Sequence, residues 1–247
     1  MSAGDITVVL CALTLGATVK ALTGMGLPLV AIPIASLFVP VETAVVAVSL
    51  PNMVSNALLI GEHRQGRSEA TFLPRMVVWG IAGAVVGTWL LSTLDERVLL
   101  VMLAFAVCVF LVVSIRNPAF AWSDNVARRG TPVAGFVGGV FQGAAGISGP
   151  IVVSWTHGMR MSKHAFVFAI TVMFAITGAV QIVSMTALGL WTVERFAVAV
   201  VGAAVVGFIT PVIMRMGRKI TGTWFDRLIL GVLGVSAVSL VVQAVTS

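Results

Sequence analysis

The stretch "TGMGLP", Thr23–Pro28, interrupts the otherwise almost wholly apolar run Ile6–Val39. A related phrase, "AGISGP", stands at Ala145–Pro150 inside the run from Pro132 to Trp155. Glycine frees the backbone to turn, and proline just after it suits the first turn of a new helix, where its missing donor costs nothing. At 1.5 Å per residue each half of a broken run is ~20–25 Å long, marginal for crossing a hydrocarbon core of ~30 Å. The two phrases therefore predict hairpins of two short helices, 6–39 and 132–157, each dipping in and returning to the side it came from.

Composition puts these hairpins in a membrane. The chain has 247 residues, 59% hydrophobic and 10% charged, with a mean hydropathy of +1.09. That is far too little charge to coat a soluble domain, so the expected class is an all-α polytopic membrane protein. Met1–Leu15 contains Asp5 and no basic opening, so no cleaved signal peptide is expected. Cys11 and Cys108 lie in apolar runs without CxxC or metal-ligand spacing and read as small packing residues. The net charge of +6 would suggest nucleic acid in a soluble chain. Here the basic residues fall in loops between spans, which orient the chain instead, and no nucleic-acid partner is expected.

Six uninterrupted runs are long enough to span: 43–61, 76–93, 98–115, 164–188, 192–214 and 222–245. The segments 62–75, 116–131, 158–163 and 215–227 hold twelve of the fifteen Lys and Arg, and by the positive-inside rule they are cytoplasmic. The loops at Asp95–Arg97 and Leu190–Arg195 have one Arg each beside acidic residues, and read as external. Tracing the chain places the first hairpin with both ends outside, the second with both ends inside, and both termini outside. The halves also resemble each other. "ATVKALTGMGLP" (17–28) lies over "GVFQGAAGISGP" (139–150) at a shift of 122, placing Lys20 on Gln142, Gly24 on Gly146 and Pro28 on Pro150. We therefore expect an inverted repeat: 1–118, a cytoplasmic linker 119–131, and 132–247, each repeat a hairpin plus three spans, as in many secondary transporters.

Each new helix after a break exposes unpaired N–H groups and a partial positive charge at its start. Two such starts meeting near the midplane would cradle an anion. The competing reading is that the glycines serve close helix packing. Lys20 lies three residues before Thr23, and a buried ammonium marks a partner or a function unless it snorkels to the interface. Gln142 faces it in the repeat alignment. Asn52 and Asn56, one turn apart on the following span, and Thr171 in the second half either contact a ligand or hold helices together. Gln181 and Thr177 are weaker candidates of the same kind. Trp79, Trp89, Trp155, Trp191 and Trp224 near span ends read as interfacial anchors, and Glu42 and Glu62 as solvated. His157, Arg160, Lys163 and His164 read as orientation charges at an inner mouth. The sequence has no HExxH, no P-loop, no pair of intramembrane aspartates, and no GxSxG flanked by a strand and a helix. A non-enzyme without cofactor is expected, either driven by a gradient or moving its cargo downhill.

The segments "GATVKALTGMGLPLVAIP" and "GGVFQGAAGISGPIVV" resemble the TauE/SafE sulfite exporter family, also called the toluene sulfonate uptake permeases. That family has duplicated segments of the kind G-x-G-G-x-x-x-x-P. Here Met25 and Leu27 interrupt the first copy, and Ile147 and Ser148 alter the second. The resemblance implies transport of sulfur-containing anions (sulfite, sulfonates or sulfoacetate) by a bacterial inner-membrane carrier. It implicates Thr23, Gly24, Gly26, Pro28, Gly146, Ser148, Gly149 and Pro150, and is compatible with a homodimer. Lys20 and Gln142 join the candidate site from burial logic alone. A coupling proton or sodium ion is open at this stage, as is an anion channel or a membrane scaffold in place of a carrier.

Overall fold

The computed structural model describes residues 1–116, 122–216 and 223–246. The middles of two basic loops, 117–121 and 217–222, and the side chain of Trp224 lie outside the described residues. The described residues form ten α-helices in order: α1 Ala3–Thr23, α2 Leu27–Ala35, α3 Val41–His63, α4 Leu73–Thr93, α5 Glu96–Arg116, α6 Asp124–Ala145, α7 Gly149–His157, α8 Lys163–Ala187, α9 Val193–Met216 and α10 Thr223–Thr246. A short 3-10 turn, Arg64–Ser68, extends α3, and the described residues contain no strand. Among the described residues five segments, Ala3–Thr23, Val41–Ser68, Leu73–Thr93, Lys163–Ala187 and Val193–Met216, are long and apolar enough to cross a membrane. The chain is an all-α, multi-pass membrane protein. Each of the six expected spans lies within three residues of a helix.

The hairpins are lopsided. Their first arms, α1 and α6, have 21 and 22 residues, and their second arms, α2 and α7, nine each. That corresponds to ~32 Å and ~14 Å of rise, in place of two equal arms. Only the returning arm is short, because the break falls late in each apolar run. The opening arm also begins earlier than hydropathy suggests. Residues 124–131, within the segment read as a linker, form the first two turns of α6 behind the N-cap residue Ser123. α1 starts from a full capping box, Ser2 Oγ accepting from the Asp5 amide and Asp5 accepting from that of Ser2.

Helix order repeats along the chain. α2 and α7, and likewise α3 and α8, begin 122 residues apart. α3 and α8 run antiparallel. The rings of His63 and His164 stand 5.2 Å apart at one end, while toward the other α6 ends between the first turns of α3 and the last of α8, near Val45 and Gln181. The neighbours of the long arms correspond as well: α6 packs on α4, and α1 on α9.

The α4–α6 contact is backbone against backbone. A Cβ added at Gly83 or Gly87 would run into the carbonyl oxygen of Phe136 or Val140. One at Gly135, Gly139 or Gly143 would run into that of Met76, Gly80 or Ala84. Glycines spaced by four let helices approach this closely where lipid supplies no hydrophobic drive between them. The α1–α9 contact is looser, since a Cβ at Gly202 would meet the Leu13 and Pro51 side chains.

Polar contacts sort the loops into two ends. At one, the Met1 ammonium pairs with Glu194 (2.8 Å), the Val41 amide donates to Glu96 (2.7 Å), and Arg195 pairs with Glu42. At the other, Ser162 donates from N and Oγ to Glu69 (3.1 and 2.8 Å), and Trp122 stacks on Trp155 at 4.6 Å. This grouping of loops is the one their charges imply. Glu42 is a correction: it is ion-paired across the bundle, not simply solvated.

Candidate substrate site

Both glycine phrases form elbows. α1 ends on Gly24 in the left-handed conformation (φ 84°), whose amide donates to the Lys20 carbonyl at 2.8 Å. α6 ends on Gly146 in the same way (φ 70°), its amide donating to the Gln142 carbonyl at 2.9 Å. Only at such positive φ does glycine become the required residue. Pro28 and Pro150 occupy the first turns of α2 and α7, and no side chain caps either start. The elbows differ at one point. Gly26 is left-handed again (φ 109°), whereas its counterpart Ser148 is right-handed.

The elbows meet around one cavity. Lys20, Asn52, Gly26 and Pro28 line it from the first half, and Gln142, Gly146, Ser148 and Gly149 from the second. Met25, Leu29, Phe110, Ile147 and Phe174 complete the wall. Its volume is about 20 Å³, enough for one water and too small for an anion of several heavy atoms.

Lys20 is 0% exposed. Its Nζ donates to Asn52 Oδ1 at 2.7 Å and to Asn56 Oδ1 at 2.5 Å. The two asparagines reach it together because they lie one turn apart on α3. Among the described residues Lys20 has no ion pair. Asn56 Nδ2 is buried and has no partner among them either.

The second half answers with uncharged groups. Gln142 donates from Nε2 to Gln181 Oε1 (3.1 Å) and accepts at Oε1 from Ser148 Oγ (2.9 Å). Gln181 Nε2 in turn donates to the carbonyls of Gln142 and Gly143 (2.7 and 3.1 Å), of which the first also accepts from Gly146 and the second belongs to the last turn of α6, where carbonyls lack helical partners.

Of the sequence candidates, Thr23, Gly24, Asn56, Pro150 and Thr171 do not line the cavity. Asn56 acts behind it, on Lys20. The Thr23 hydroxyl bonds within its own elbow, to Val19 and Met25, and that of Thr171 bonds to the Val167 and Phe168 carbonyls of α8. His157, Arg160, Lys163 and His164 are also outside the cavity wall. Phe174 escaped the sequence reading although the 122-residue shift lays it on Asn52, since an aromatic in an apolar span carries no signal of its own.

No curated protein and no solved structure matches the chain. Residues 8–240 match the family described as sulfite exporter TauE/SafE. With nearly its whole length covered, helices long enough to span and two glycine elbows around a buried lysine, the chain belongs to the TauE/SafE family of sulfite-exporter-type transporters.

Proposed function

We propose that the protein is a secondary transporter of small sulfur-containing anions, of the sulfite, sulfonate or sulfoacetate type, in a bacterial inner membrane. The reading is carried by one observation: a fully buried lysine, without a counter-ion among the described residues, lines the cavity where the two helix starts converge. A cation and uncapped helix starts in a low-dielectric site favour a negative guest. Asn52, Ser148 and the Gln142 amide would add donors around it.

The matching helix orders support reading 1–118 and 132–247 as inverted repeats, with both termini external and alternating access around the cavity. The water-sized volume of the cavity favours a carrier over a standing anion channel, which needs a continuous path wide enough for the ion. Flux tests this. Purified protein in liposomes should move labelled sulfite or sulfonate, and Lys20→Ala should reduce that flux at least tenfold at unchanged thermal stability. Full transport by the alanine variant would remove Lys20 from the site.

A further inference from the structure

We propose that Lys20 carries a proton together with the anion, so that the protein is a proton–anion symporter in which one side chain holds both passengers. The proposal rests on the anion-transport reading above and adds the coupling ion to it.

The geometry supplies what such a carrier needs. First, among the described residues nothing else near Lys20 can neutralise or replace it. α2 has no ionisable residue. α3, packed against α1, has Glu42, Glu62 and His63 only at its ends, and α9 has Glu194, Arg195 and Arg215 only at its ends. Among the other elements around the cavity, α5 has Glu96, Arg97 and Arg116 at its ends and Cys108 exposed. α6 has Asp124, Arg128 and Arg129 in its opening turns, α7 has His157 at its end, and α8 has Lys163 and His164 at its start. Among the described residues Lys20 is the only ionisable one on the cavity wall. An ammonium held there without an anion is an isolated charge in lipid.

Second, the partners suit either protonation state. As an ammonium, Nζ gives two N–H bonds to the asparagine oxygens and keeps a third for a guest in the cavity. As an amine it has a lone pair in need of a donor. The Asn56 amide, whose Nδ2 is buried without a partner, provides one by turning over, which exchanges groups of nearly equal shape. A carboxylate at position 56 would hold the ammonium permanently; an amide does not.

The cycle then balances. On the loading side a hydronium ion gives its proton to the Nζ lone pair, forming the third N–H bond and releasing water. The anion seats against that N–H, and the neutral pair crosses. On the far side the anion leaves, the N–H bond breaks toward a water in the cavity, and the uncharged amine returns. One proton moves per monovalent anion.

The test uses methanesulfonate, a strong-acid anion that brings no proton of its own, with liposomes containing a trapped pH dye. The expected result is one proton entering per methanesulfonate and accumulation of about tenfold per unit of pH gradient. Lys20→Arg, which keeps the charge but does not release a proton, should lose that accumulation. Methanesulfonate flux without proton entry, or wild-type accumulation by Lys20→Arg, would overturn the proposal and leave the anion reading standing. If neither sulfite nor methanesulfonate moves, both fall. If sulfite alone moves, or the arginine variant does not fold, lysine-selective nitrogen NMR of the wild-type protein decides. Lys20 is assigned there by replacing Lys163 and Lys219, the other two lysines. Its signal should change from amine to ammonium when anion is added at neutral pH, and an ammonium signal throughout, anion or not, would refute the proton role.

Discussion

The two elbows occupy matching places in the two halves, yet one holds a charge and the other a closed circuit of amides. In the second, every polar atom of Gln142 and Gln181 is engaged, and the circuit also ties off the end of α6. In the first, Lys20 draws on two oxygens and leaves the Asn56 amide nitrogen idle. A satisfied buried network rigidifies, whereas a partly satisfied one is available for exchange. The difference teaches that equivalent backbone turns need not share a task. The Gln142 elbow holds position and the Lys20 elbow receives.

The largest expected effect breaks that comparison directly. Lys20→Ala should depress anion flux about a hundredfold, loss of a buried charge contact being worth ~3 kcal/mol, while Gln142→Ala should lower flux only about fivefold and thermal stability more than Lys20→Ala does. Flux and melting curves on both variants check it; equal flux losses with equal melting points would erase the distinction.

The glycine contacts sharpen it next. Gly139→Ala drives a methyl into the Gly80 carbonyl and the Ala84 amide, whereas Gly202→Ala meets the side chains of Leu13 and Pro51, which can yield. We expect losses of about 2–3 kcal/mol and about 1 kcal/mol respectively, read from detergent-solubilised melting. The reverse order would show the α4–α6 contact to be looser than described.

Within the elbows, Gly24→Ala should cost roughly 1–2 kcal/mol, because alanine is strained at φ 84° and Val167 closes the space around it. Gly149→Ala has open space and ordinary φ, and should stay within about 0.5 kcal/mol of wild type. A destabilised Gly149→Ala would mean the second elbow is tighter than its glycine suggests.

Smallest is an effect at the end opposite Met1. Hydrogen bonds from the Ser162 amide and hydroxyl hold the Glu69 carboxyl below its ordinary value of 4.5. A lowered folded-state pKa contributes stability that is fully present above the ordinary value and disappears as pH falls through the folded one. The protection factor of the Ser162 amide, measured against its intrinsic exchange rate at each pH, should therefore hold down to about pH 4.5 and fall below it. Glu69→Gln should flatten that profile, and an unchanged profile would separate Glu69 from the protection of Ser162.

The elbows were legible in sequence because glycine and proline punctuate an apolar run locally, and Pro28 and Pro150 do stand in the first turns of α2 and α7. The unequal arms were not legible, since an apolar stretch carries no marker of where a helix stops. Residues 124–131 passed for a linker because Arg128 and Arg129 hide the opening turns of α6 from a hydropathy reading. Lys20, Asn52 and Asn56 were each visible as misplaced polar groups, but their meeting is tertiary. The pairing of Glu42 with Arg195, 153 residues away, is beyond any local pattern. The glycine faces of α4 and α6 went unread because each looks ordinary until the other is laid on it.

Those faces also bear on how the molecule comes apart. α4 belongs to the first half of the chain and finds its closest neighbour, α6, in the second, and α1 also packs on a helix of the second half, α9. Sequence halves and mechanical parts are therefore different partitions of the protein. A polypeptide severed between Arg116 and Trp122 should remain one particle in detergent, and either fragment made alone should be degraded for want of the other.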